Sequence, residues 1–73
     1  MSVDNLIKMA NQIAHYFDSE PDRALAVQGV RQHLHSFWAP AMRRQLVEWM
    51  QANPGEGIDP LVREALASET VAA

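Results

Sequence analysis

The sequence predicts an all-α protein: a small bundle of three main helices plus a short C-terminal helix. Three observations predict it. Apolar residues recur at three- and four-residue spacing, the period of one helical face. Turn-forming residues break the pattern at residues 18–22, at Pro40 and at residues 53–57. No segment alternates apolar and polar residues as a half-buried strand does, and there is no internal repeat or low-complexity tract.

The first helix is expected from about Asp4 to Phe17. Leu6, Ala10, Ile13 and Phe17 fall on one face, widened by Val3, Ile7, Met9 and Ala14. Asp4 near its start suits the helix dipole. Lys8, Asn11, Gln12 and His15 lie away from that face. The run Asp18-Ser19-Glu20-Pro21-Asp22 then offers Ser19 as an N-cap, with Asp22 three residues on and Pro21 in the first turn. On this reading the second helix covers about Glu20 to Phe37, with Val27, Val30, Leu34, Phe37 and Trp38 inward. Gly29 projects away, Leu25 falls outside the stripe and Arg31 falls inside it.

Pro40 ends that helix, because a residue before proline disfavours helical dihedrals, and it opens a third helix to about Ala52. Met42, Leu46, Trp49 and Met50 share one side. Asn53-Pro54-Gly55-Glu56-Gly57 is a loop. Asp59 caps a last helix that begins at Pro60 and runs to about Leu66, with Leu61, Val62, Ala65 and Leu66 on one side. Residues 1–67 thus form a single helical domain, and 68–73 lack periodicity and are expected to be a disordered tail.

Size and composition narrow the function. A 73-residue chain buries only about 60% of the surface it exposes when unfolded. It has no cysteine, so disulfides and thiolate metal sites are excluded. The N-terminal residues lack the pattern of a secretory leader, and no apolar run approaches the roughly 20 residues that cross a bilayer. The expectation is a cytoplasmic protein with no membrane contact. Net charge is −3 with 6 Lys+Arg, which opposes a nucleic-acid partner. The charge is uneven, however. From Arg23 to Val47 there are Arg23, Arg31, Arg43 and Arg44 and no acid. That stretch faces either an acidic partner surface or the acidic ends of the same chain.

No catalytic, cofactor-binding or metal-binding residue is expected. His33 and His35 are two apart, so they point to opposite sides of a helix. The hydroxyl residues have no base beside them in sequence, and Gly55 and Gly57 lack the spacing and lysine of a phosphate loop. Trp, Tyr, Met and Arg are instead the residues enriched at protein interfaces. Here they include Trp38, Trp49, Met9, Met42 and Met50. Packing in the chain's own core and packing against a partner both remain open for them. The candidate partner-contact residues are Arg31, His33, Phe37, Trp38, Pro40, Met42, Arg43 and Arg63. Arg43 and Arg63 suit bidentate contacts to carboxylates.

Three blocks, in order, carry a resemblance: Ile7-Lys8-Met9-Ala10-Asn11-Gln12-Ile13, then His33-Leu34 leading to Phe37-Trp38-Ala39-Pro40-Ala41-Met42-Arg43, then Asp59-Pro60-Leu61-Val62-Arg63-Glu64-Ala65-Leu66. Over residues 3–67 the chain resembles the delta subunit of cytoplasmic NAD-dependent, molybdenum-containing formate dehydrogenases. Ala39 and Ala41 depart from the family pattern, which has a charged and a basic residue beside the proline. The resemblance implies a non-catalytic accessory subunit that binds no cofactor and holds the large molybdenum-containing subunit in a hetero-oligomer, supporting assembly or stability. The complex it implies uses bis-molybdopterin guanine dinucleotide, iron–sulfur clusters, FMN and NAD on other subunits. The competing expectation is a free-standing small helical regulatory or adaptor module, helix-turn-helix-like, which the acidic balance and Pro40 oppose.

Overall fold

Four helices follow one another in a computed structural model that describes residues 2–54 and 57–72, with side chains as far as 67: α1 (Val3–Phe17), α2 (Arg23–Phe37), α3 (Pro40–Ala52) and α4 (Pro60–Ala72). No strand occurs among the described residues. The radius of gyration is 11.2 Å. A compact domain of this length has about 11 Å, so the helices close on one another rather than splay.

Each helix starts where local chemistry satisfies its first N–H groups. Ser2 caps α1, its hydroxyl accepting from the Asn5 N–H at 3.3 Å. Asp22, not Ser19, caps α2: its carboxylate accepts from the N–H groups of Ala24 (3.0 Å) and Leu25 (3.4 Å). Glu20 in turn accepts from the Asp22 N–H at 3.1 Å. The start of α2 therefore moves from Glu20 to Arg23, and Pro21 lies before the helix. A charged cap beside the positive end of the dipole outcompetes a serine three residues earlier. Pro40 opens α3 as expected, with Ala39 as an N-cap that makes no side-chain bond. Asp59 accepts from the Leu61 N–H at 2.9 Å at the start of α4. That helix has 13 residues and continues past Leu66, so it is as long as α3 rather than short.

The core is a single cluster. Leu6, Ala10 and Ala14 of α1 meet Ala26, Val30 and Leu34 of α2, Leu46, Val47 and Met50 of α3, and Leu61, Val62, Ala65 and Leu66 of α4. Each fully buried leucine there contributes roughly 1.5–3 kcal/mol relative to exposure. In α1 the innermost line is Leu6-Ala10-Ala14, and Ile13 and Phe17 are half-buried on its flank. In α2 the line runs through Ala26, Val30, Leu34 and Trp38. Phe37 lies outside it and is 74% exposed, contrary to its expected inward place. Gly29 is also displaced from expectation. It faces the Phe17 ring so closely that a Cβ there would come 2.4 Å from Cε1. Absence of a side chain at 29 lets α1 and α2 approach at that point.

Two side chains tie α4 down. Asn11 of α1 donates to the Gly57 carbonyl at 2.8 Å and accepts from the Asp59 N–H at 2.9 Å. Arg31 of α2 donates from Nε to the Ala65 carbonyl at 3.1 Å. An exposed ion pair, Arg23 with Glu64 at 2.6 Å, joins the same two helices at the surface.

Candidate protein-binding groove

An apolar groove of about 700 Å³ lies where the C-terminal half of α1 meets the end of α2 and the start of α3. Met9, Gln12, Ile13, Tyr16 and Phe17 line it from α1. His33, Phe37 and Trp38 line it from α2 and its cap, and Met42 from α3. The floor and the rim differ. Trp38 is only 5% exposed, so its indole closes the floor as part of the core. Tyr16 and Phe37 are 78% and 74% exposed on the rim. Tyr16 stands edge-on to Phe17, ring centres 5.0 Å apart at 87°. His33 and Phe37 lie 4.7 Å apart, tilted at 43°. Single exposed apolar residues such as Leu25, which does not line the groove, need no explanation. Two exposed aromatics bordering one apolar groove form a patch, and patches mark interaction sites.

The local fold sets this geometry. Trp38 leaves the helix with extended dihedrals (φ −98°, ψ 139°) while its N–H still bonds the Leu34 carbonyl at 2.9 Å. Pro40 then redirects the chain, and Arg43 donates from a guanidinium nitrogen to the Trp38 carbonyl at 2.8 Å. The turn is thus held by hydrogen bonds on both the N–H and the carbonyl of Trp38.

Of the expected contact residues, the groove brings together His33, Phe37, Trp38 and Met42. Pro40 sits exposed at the first position of α3. Three arginines do not line it and bond within the chain: Arg31 to Ala65, Arg43 to the carbonyl of the lining residue Trp38, and Arg63 to the Asn53 carbonyl at 3.1 Å. Arg31, which falls inside the apolar stripe, bonds a helix carbonyl of its own chain. Of the α1 wall, the sequence reading names Met9 as open to core or partner and leaves Gln12, Ile13, Tyr16 and Phe17 without a partner role. A further signal is Tyr16, a large aromatic off the inward line and next to Phe17.

No group of three or more His, Asp or Glu side chains able to hold a metal occurs among the described residues. None of their helices is long and apolar enough to cross a membrane. A family model described as the NADH-dependent formate dehydrogenase delta subunit FdsD matches residues 5–66. The chain belongs to that family. No curated protein and no solved structure matches it. Membership makes this delta-subunit chain a component of a hetero-oligomeric formate dehydrogenase complex. All nine groove residues fall inside the matched span.

Proposed function

We propose that this chain is a non-catalytic subunit that docks onto the large molybdenum-containing subunit of the dehydrogenase and supports assembly or stability of the active complex. The observation that carries the reading is the exposure of Tyr16 and Phe37 beside an otherwise closed core, in a chain of the delta-subunit family. Water-exposed aromatics bring no folding energy to the isolated chain, but they release apolar surface when covered. The half-buried Met9, Ile13 and Met42 give the covering chain a deformable apolar bed. Cofactor chemistry then resides on other subunits, and this chain contributes contact area.

The test is co-purification from cells expressing the whole complex. The double variant Tyr16→Ser/Phe37→Ser is expected to lose capture of the large subunit and to lower formate oxidation in the cell extract. Each aromatic truncation at such a centre costs about 2 kcal/mol, or roughly 30-fold in affinity. Full capture and full activity with the double variant would remove the groove as the docking face.

A further inference from the structure

We propose that the groove takes an amphipathic helix of the partner whose apolar stripe is bordered by carboxylates. This rests on the docking reading above and adds the chemistry of the occupant. The electrostatic observation comes first. The chain carries nine acids and a net charge of −3, yet no carboxylate lines the groove. Its polar lining consists of Gln12 and His33. Lys8 lies one helical turn before Gln12, and residues one turn apart are neighbours on a helix surface. Arg43 places its guanidinium against the carbonyl of the lining residue Trp38. The second wall belongs to the stretch from Arg23 to Val47, which is free of acids. An incoming segment with carboxylates beside its apolar residues therefore meets no like charge in the lining, and Lys8 and Arg43 stand next in sequence to the lining residues Met9 and Met42.

The backbone of the occupant follows from the walls. Among the described residues there is no sheet edge, so an extended segment would find no ladder to join. Its own N–H and C=O groups would go unpaired as water left the groove. A helix satisfies those groups internally. It also presents apolar side chains at three- and four-residue spacing, which interdigitate with the ridges of α1 and α2.

The experiment uses the full chain and the intact complex. Gln12→Glu and Gln12→Lys change an exposed position by one charge of either sign. The expected result is about a tenfold loss of affinity for the large subunit with Glu, and affinity within about twofold of the unaltered chain, or tighter, with Lys. In parallel, Phe37→p-benzoylphenylalanine is photo-crosslinked in the assembled complex and the joined peptide identified. It is expected to come from a helical, acid-bearing segment of the large subunit. Equal weakening by Glu and Lys, tighter binding with Glu, or a crosslink to a strand or a basic segment would overturn the proposal. If the unaltered chain does not capture the large subunit, the docking reading itself falls, and this inference with it.

Discussion

The two sides of α2 spend similar residues on opposite ends. Toward α4, Val30 and Leu34 are fully buried against a helix whose Leu61, Val62, Ala65 and Leu66 are equally closed, and Arg31 seals the seam through a main-chain carbonyl. Toward the end of α1, Phe37 and Tyr16 stand in water around a groove that no element covers among the described residues. The contrast teaches that a chain of this size does close a core of its own, Trp38 included. Of the large hydrophobics exposed among the described residues, Tyr16 and Phe37 border that groove and Leu25 lies apart from it. On the proposed docking reading, folding and docking separate by position on a single helix.

Substitutions on the two sides should separate in the same way. The largest effect belongs to the closed side. Leu34→Ala removes a fully buried side chain and should cost about 3 kcal/mol of stability, read as a lowered midpoint in thermal or urea unfolding. A loss under about 1 kcal/mol would mean that the α2–α4 seam is loosely packed. Next comes the latch on the loop before α4. Asn11→Ala deletes the bonds to Gly57 and Asp59 and should cost about 2 kcal/mol, with faster hydrogen exchange at the Asp59 amide. Unchanged exchange there would show that the loop is held by the core alone.

A smaller effect, with an informative sign, comes from Gly29→Ala. Alanine gains about 1 kcal/mol in helix propensity. Its Cβ, however, meets the Phe17 ring at 2.4 Å, and overpacking of that kind costs about 1–3 kcal/mol. The net expectation is a loss of about 1 kcal/mol in the wild-type background and a gain in a Phe17→Ala background. The same sign in both backgrounds would show that Phe17 does not constrain position 29.

Much of the fold was legible in the sequence because its signals are local. Pro40 and Asp59-Pro60 mark helix starts by backbone chemistry that needs no neighbour, and α3 begins and ends where it was expected. Leu6, Ala10, Leu34 and Leu46 were assigned inward by spacing, and all are fully buried. The errors arise where a neighbouring helix decides. Periodicity places Phe37 on the inward side of α2 but cannot say that nothing covers that end of the helix. It counts Gly29 as outward because glycine carries no apolar weight, although its smallness is what admits Phe17. The groove was half legible for the same reason. His33, Phe37, Trp38 and Met42 lie close together in sequence around a conspicuous proline, whereas Met9, Gln12, Ile13, Tyr16 and Phe17 join them only through the packing of α1 on α2.

The smallest stability effect should accompany the largest effect on assembly. Tyr16→Ser/Phe37→Ser alters only exposed rim residues and should leave the unfolding free energy of the isolated chain within about 0.5 kcal/mol of the original. Titrating that variant against the purified large subunit tests the division between core and groove most directly. The account predicts an unchanged melting midpoint with affinity reduced by at least about 30-fold. Retained affinity, or a variant that fails to fold, would contradict it.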